Sequence, residues 1–514
     1  MVLKRETPRK RAARECAERV AGKKIGKAEL LTIKKEASER HSLDGVLKNS
    51  EVAEALREIG EDAGALRIRA TRSISGVSVI AVMARPWPCP HGKCVYCPGG
   101  VENNSPQSYT GKEPAALRAG QNDFDPYRQV TSRIAQLEAI GHEASKCELI
   151  VMGGTFNCQP RAYQTEFVKR AFDAFNGKKA KSLEQAFALN ESAGHRVVGV
   201  TFETRPDYAG EKEVEKLVGL GATRIELGVQ TLSDKVYKKV NRGHTVEDVV
   251  DATRNCKDAF LKVCYHWMPG LFVSPKEDVK MFARLFSDAR FRPDMLKIYP
   301  ALVIAGTGLY DLWKKGKFEP YDDETAAKAI AQMKALVPPY VRIMRIDRDI
   351  PSQLIAAGVK KSNLRQLARA ELEKAGTECR CIRCREAGFR KVDWKSVGLK
   401  RIEYGASGGR EIFLSYEDGN DALVGFLRLR RNEDGRAGIR ELRVFGEQVP
   451  VGERNAGGAS QHKGFGQKLL KKAEEIASSE LSERKLFVLP GAGVKPYYRR
   501  LGYADAGMYL AKRL

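Results

Sequence analysis

No run of about 18 apolar residues occurs in the 514-residue chain, so no segment reads as a membrane span. The first twenty residues, MVLKRETPRKRAARECAERV, lack the apolar stretch of a secretory signal. No repeat of about 20–50 residues and no low-complexity tract is visible, which excludes solenoids and arrays. Acids are in short supply: 65 Asp and Glu face 89 Lys and Arg, a formal net charge of +24. Such an excess points to a polyanionic partner, nucleic acid above all, or else to a basic solvated surface. Disulfides are not expected either. Six of the eleven cysteines fall in two tight groups, 89, 94, 97 and 379, 381, 384. In a long chain without a signal such groups read as metal sites in a reducing, cytoplasmic setting, and Cys16, Cys147, Cys158, Cys256 and Cys264 as ordinary thiols.

What is present suffices for two to four domains, with 42% apolar residues to fill their cores. The first 75 or so residues are charge-rich with helical-looking pieces, and ten Lys or Arg against three acids fall in the first 27. They read either as a solvated, partly disordered tail or as a basic arm for phosphates. Strand-like runs follow at Ser78–Met83, Glu148–Met152, Arg196–Phe202, Thr223–Gly228, Leu261–His266, Asp294–Tyr299 and Tyr340–Ile346, with amphipathic stretches between most of them. Repeated strand–helix units predict a parallel sheet, either barrel or doubly wound. Gly, Pro and polar residues gather after strand after strand, which favours a barrel with a single mouth. Residues 400–446 instead read as an antiparallel meander, followed by a helix, a strand, a short helix and a last strand.

The stretch RPWPCPHGKCVYCPGG follows the first predicted strand and spaces three thiols as Cys89-x4-Cys94-x2-Cys97. Three thiolates can hold three irons of a [4Fe–4S] cluster and leave the fourth open, whereas a structural zinc site wants four ligands. Zinc completed by His91 or by a distant ligand is the alternative. The loop, with Tyr96 before its last cysteine, resembles that of the radical S-adenosylmethionine superfamily, whose usual first gap is three residues rather than four. The resemblance implies that Cys89, Cys94 and Cys97 ligate the cluster and that S-adenosylmethionine binds the open iron. It further implies cofactor contacts at Gly153 and Gly154, after the second strand, and softer ones at Glu203 in ETRPD and Gln230 in IELGVQ.

Near the carboxyl end, QHKGFG (Gln461, His462, Lys463, Gly464, Phe465, Gly466) opens an amphipathic helix. Closely spaced glycines there let backbone N–H groups approach a pyrophosphate, aided by the helix dipole. With the meander before it and LFVLP and YYRRLGY after it, the segment resembles the GCN5-related N-acetyltransferases. That implies acetyl-CoA on the glycine turn and Tyr497 and Tyr498 near its acyl end, where a phenol could protonate a thiolate; packing of one of the two in the core is an equal reading.

The pairing of the two halves resembles the catalytic (third) subunits of Elongator in their archaeal single-chain form. CVYCPGG, PQSYTGKEPA, MGGTF, ETRPD, RIELGVQT, NRGHT, KIYPALVI, GTGLY, CRCIRCRE, RELRVFG, QHKGFGQKLL and PYYRRLGY carry the likeness. It implies an α/β fold: a partial TIM-like (βα)6 radical S-adenosylmethionine barrel, then a mixed α+β acetyltransferase domain. The expected division is a basic tRNA-binding candidate at 1–75, the barrel at 76–375, a zinc linker at 376–396 and the acetyltransferase domain at 397–514. The implied activity attaches the acetyl carbon of acetyl-CoA to carbon 5 of the wobble uridine of tRNA, giving 5-carboxymethyluridine, with a cleft shared by the two domains. Lys297, ending the sixth strand, is expected to touch substrate or acetyl-CoA, unless it merely closes a strand in solvent. Cys379, Cys381 and Cys384 are expected to bind zinc with an unnamed fourth ligand, a second iron–sulfur cluster being the alternative. An anticodon stem-loop, an external reductant and either a homodimer or Elongator-like subunits are the implied partners. Two other functions stay open: a lysine acetyltransferase, with Glu441 as a candidate base, and an RNA-binding scaffold.

Overall fold

The structure, a computed structural model, describes residues 6–23, 25–47, 49–61, 76–347, 350–446 and 464–514. Among these no helix is long and apolar enough to cross a membrane. Three helices come first: α1 (Pro8–Val20), α2 (Lys27–Arg40) and α3 (Asn49–Glu58). Ala12, Ala17, Ala37 and Ala53 with Val20, Ile33, Val52 and Leu56 form a small apolar core between them. Over residues 8–58 the basic region is therefore a folded bundle rather than a solvated tail. Six of its thirteen buried core residues are alanine, too small to stand out as an apolar stripe among so many charges.

Seven parallel strands follow: β1 (Ser78–Met83), β2 (Lys146–Met152), β3 (Arg196–Thr204), β4 (Arg224–Gln230), β5 (Lys262–Trp267), β6 (Met295–Ile298) and β7 (Arg342–Ile346). They pair in chain order, so β1 and β7 are the two edges of a curled, partial barrel. All seven predicted runs join this sheet, β7 pairing with β6 in parallel register beyond the (βα)6 core. The crossover helices are locally encoded. Thr245 with Asp248, and Ser274 with Glu277 behind Pro275, form capping boxes that satisfy the first free N–H groups.

The second sheet runs β8 (Gly398–Ala406), β9 (Gly409–Glu417), β10 (Leu423–Arg431), β11 (Ala437–Val444), β12 (Lys485–Val488), β13 (Ala504–Ala506) and β14 (Tyr509–Arg513). Strands β8 to β11 form the expected antiparallel meander, and β12 pairs with β11 in parallel. The helix Phe465–Ser479 lays Leu469, Ala473, Ile476 and Ala477 onto this sheet.

The second domain caps the end of the barrel where the strands begin. Arg440 on β11 reaches Asp294 (2.7 Å) and the carbonyl of Leu261, just before β6 and β5. Arg430 on β10 reaches Asp258 at 2.6 Å, and Tyr404 stacks on Tyr340 ahead of β7. Gly491 approaches Val198 so closely that a Cβ would overlap its backbone. Among the described residues these contacts thus lie at the opposite end of the strands from the cysteine loop. Nothing local in the sequence distinguishes the two ends as docking surfaces.

Candidate active site

The cysteine loop leaves the carboxyl end of β1. Cys94 and Cys97 are buried and Cys89 half-buried. Protein donors converge on two of these sulfurs: the backbone N–H of Ser108 on Cys97 at 3.1 Å, and the Arg242 guanidinium (Nη1) on Cys94 at 3.6 Å. His91 Nε2 lies 3.2 Å from Cys94. Burial pushes the Cys97 thiol up to about 11, so a metal must displace its proton on binding. Two groups of described His, Cys, Asp or Glu bring three ligand atoms within 4.8 Å of one another, and this loop is not one of them. Tetrahedral zinc would hold its sulfurs about 3.8 Å apart, given Zn–S bonds of about 2.3 Å. Gly153 (φ +126°) and Gly154 (φ +79°) turn the chain after β2, where Cβ atoms would crowd Ala84 and Gln107 at 3.3 and 3.2 Å. Gln230 ends β4 at φ +71°, a left-handed conformation uncommon for a residue with a side chain.

Below the loop the barrel interior is charged. Glu203 and Glu226 are register partners on β3 and β4, as are His266 and Lys297 on β5 and β6. Lys297 sits between the two carboxylates, in contact with Glu226 and 3.6 Å from Glu203. His266 Nε2 meets Glu226 at 2.9 Å, and Tyr109 donates to Glu203 at 2.7 Å. Lys297 is therefore a buried ion-paired cation, not a lysine closing a strand in solvent. Burial alone would raise the Glu226 carboxyl, but Lys297 and the His266 hydrogen bond outweigh it and hold the group below the usual carboxylate range. Glu203, Glu226 and His266 are the second group with close ligand atoms, and the ammonium of Lys297 already supplies its cation. The charges continue inward: Arg224 joins Glu226 (3.2 Å) to Glu148, and Arg443 of the second domain stands 4.0 Å from Glu148. A column of alternating charge thus links the mouth to the acetyltransferase sheet. The alternation of β4 carries its middle, since Arg224 and Glu226 share one face.

At the far site, Gly464 (φ +81°) caps the helix Phe465–Ser479, and a Cβ there would meet nothing within 4 Å. Among the described residues nothing covers the turn, as approach by a phosphate requires. The next glycine, Gly466, faces the Tyr497 hydroxyl, 3.3 Å from where a Cβ would stand. Tyr498 points away from the turn into the core, edge-on to Tyr503. Phe465 packs against Trp394 and Tyr416. Gln461, His462 and Lys463 lie outside the described residues. Glu441 is buried and held by Arg428 at 2.9 Å, so it is an ion-pair partner rather than a free base. Between the two halves the sulfurs of Cys379, Cys381 and Cys384 lie within 4.8 Å of one another, compact enough for one metal ion. Hydrogen bonds among the three raise the Cys379 thiol and lower that of Cys381, as groups sharing protons do.

Comparison with known proteins matches residues 88–286 to the radical SAM superfamily, 293–374 to the Radical_SAM C-terminal domain and 386–503 to the acetyltransferase (GNAT) family. A tRNA uridine(34) acetyltransferase of Methanocaldococcus jannaschii is 48% identical over 96% of this chain and 95% of its own length. The chain belongs to the tRNA uridine(34) acetyltransferase and Elongator complex protein 3 family. Elongator complex protein 3 of Homo sapiens is 41% identical over 87% of this chain and 86% of its own. The solved structure of Methanocaldococcus infernus Elp3 lacking residues 1–46 superposes with a TM-score of 0.76, at 44% identity, covering 86% of this chain and all of that one. Membership fixes the order of the two domains and their end-to-end extent. The ion pairs above are read from this chain's own structure. Arg242, Glu226 and His266 were not singled out as site residues by sequence reasoning, although NRGHT, RIELGVQT and strand β5 contain them. The available signal was a charged residue at an inward position of a barrel strand or its following loop.

Proposed function

We infer that the chain is a tRNA uridine(34) acetyltransferase. It joins the methyl carbon of the acetyl group of acetyl-CoA to carbon 5 of the wobble uridine, each carbon losing one hydrogen, and hydrolysis of the thioester by water releases CoA and leaves a carboxymethyl group. The observation that carries this reading is the end-to-end match with a curated enzyme of that name, across both domains. Support comes from the residues present: three thiols in one loop after β1, two of them buried, and a left-handed glycine turn at a helix start. Cys89, Cys94 and Cys97 would hold a [4Fe–4S] cluster and Gly153 and Gly154 would meet S-adenosylmethionine, a pair that would supply radical hydrogen abstraction at the acetyl methyl group. Glu203 and Gln230 line the cofactor's ribose and adenine side. Gly464, Phe465 and Gly466, with Gln461, His462 and Lys463 before them, cradle the pyrophosphate of acetyl-CoA. Tyr497, beside that turn, hydrogen-bonds the thioester or protonates the departing thiolate; Tyr498 supports it from the core.

Lys297, fixed between Glu203 and Glu226, presents a cation to the anionic or carbonyl oxygens of the substrate at the mouth. Cys379, Cys381 and Cys384 hold zinc and brace the linker. The basic surface, including the helical bundle at the amino terminus, takes the phosphates of the anticodon stem-loop, whose unstacked bases can enter a pocket. The test offers methyl-labelled acetyl-CoA and S-adenosylmethionine to anaerobically reconstituted protein, with unmodified tRNA or a lysine-rich peptide. Label on uridine as a carboxymethyl adduct is expected. Label on lysine with bare tRNA would replace this reading by a lysine acetyltransferase, a role that the pairing of Glu441 with Arg428 leaves without an evident base.

A further inference from the structure

Eight arginines are buried among the described residues, and seven have a carboxylate oxygen within 4.0 Å. The exception is Arg242. Its Nη2 donates to the carbonyl of Gly228, its Nη1 lies 3.6 Å from Cys94 Sγ, and its Nε is buried with no hydrogen-bond partner. A guanidinium taken out of water without an anion is costly, so chains seldom keep one. The surroundings are shaped to keep this one in place. A Cβ on Gly228 would overlap Nη2, and Gly243 (φ +76°) lets the next turn fold against His91 and Arg205. No nearby acid compensates the charge. The ionisable groups that bear on it are the Tyr96 and Tyr237 phenols and the Cys94 thiol, of which the thiol is the one that loses its proton most readily in water.

We propose that Arg242 is the counter-cation of the cluster held by Cys89, Cys94 and Cys97, and that it sets the cluster's reduction potential through its contact with Cys94. The proposal rests on the reading that a [4Fe–4S] cluster occupies this loop. Net charge and hydrogen bonds to the sulfurs are among the levers that fix such potentials. Each added electron makes the thiolate-bound core more negative, so a buried cation beside one sulfur favours the reduced form. Arg242 is a positioning residue in this scheme: it touches a ligand of the cluster, not the substrate.

The measurement is a redox titration followed by electron paramagnetic resonance, on anaerobically reconstituted full-length protein without S-adenosylmethionine, normalised to bound iron. Arg242→Gln should lower the midpoint enough to cut the reduced-to-oxidised ratio at least tenfold at fixed potential, or 59 mV for a one-electron couple. If that variant takes up no iron, Gly228→Ala tests the same contact, because its methyl group displaces Nη2; its midpoint should move in the same direction. Unchanged midpoints in loaded variants would overturn the proposal. Should S-adenosylmethionine binding weaken in them at an unchanged midpoint, the guanidinium belongs to that ligand's carboxylate instead. A wild-type chain that takes up no iron would sink the cluster reading itself, a separate failure.

Discussion

Arg440 and Arg242 are both buried, and they stand in opposite circumstances. Arg440 meets Asp294 at 2.7 Å, Glu411 at 3.0 Å and the Leu261 carbonyl at 2.8 Å, which uses its fork on two carboxylates and a backbone oxygen. Arg242 has one carbonyl and one thiol. A fully paired guanidinium between two domains is a structural joint, complete as the chain folds. One with no carboxylate, beside the thiol of Cys94, is on our proposal half of a site whose other half is an anion from outside the chain. Buried charge thus separates architecture from function here better than burial alone does.

Breaking the complete side of the comparison should have the largest effect. Arg440→Ala strands Asp294 and Glu411 with fewer cations, and loss of one partner from a buried pair costs about 3–5 kcal/mol. Differential scanning calorimetry should show the apparent melting temperature falling, with the acetyltransferase domain separating from the barrel as its own transition. A single transition within a degree of wild type would mean that the joint is redundant with its neighbours.

The same joint contains Lys257, whose ammonium lies 3.9 Å from Asp294 and 3.6 Å from Glu411. Burial lowers it to about 8 despite those acids, from an ordinary 10.5. Below pH 8 both folded and unfolded chains carry the proton, and the penalty for burying it is fully present. Between about 8 and 10.5 the unfolded chain keeps the proton and the folded one sheds it, so this group's contribution to stability rises with pH. The span corresponds to about 3 kcal/mol. Lys257→Met should be at least as stable as wild type at pH 7 in urea unfolding, with the gap closing towards pH 10.5. A gap independent of pH would show that Lys257 stays charged in the fold.

The sequence made some of this legible and hid the rest for a physical reason. Strand β1 was read with both ends correct, and β2 to β7 within three residues at either end, because alternation and turn residues are local signals. The cysteine loop and Gly153–Gly154 fall after β1 and β2 as read. What failed to appear was pairing over distance. Arg242 and Cys94 are 148 positions apart, Arg440 and Asp294 146, and no periodicity connects them. Glu441 looked like a free strand carboxylate because Arg428 faces it from the neighbouring strand. The joint between the domains is hidden in the same way: Asp294 and Asp258 look like unpaired acids until Arg440 and Arg430 arrive from another domain.

Lys297 lies between the two extremes and sharpens the contrast most finely. It has two carboxylates, as Arg440 does, yet it stands at the mouth beneath the cysteine loop. Lys297→Met retains the volume and removes the charge. Glu226 would still have Arg224 at 3.2 Å and His266 at 2.9 Å, so the stability loss should be smaller, about 1–3 kcal/mol. If the ammonium touches substrate, carboxymethyluridine formation should fall at least tenfold while iron content and tRNA affinity stay at wild-type values; a tenfold loss is about 1.4 kcal/mol of transition-state stabilisation. Product formation within twofold of wild type would place Lys297 with Arg440, as a joint that happens to lie near the mouth. Loss of product together with lost iron would instead tie it to the integrity of the loop, because Glu203 and Glu226, deprived of their shared cation, would repel one another across adjacent strands.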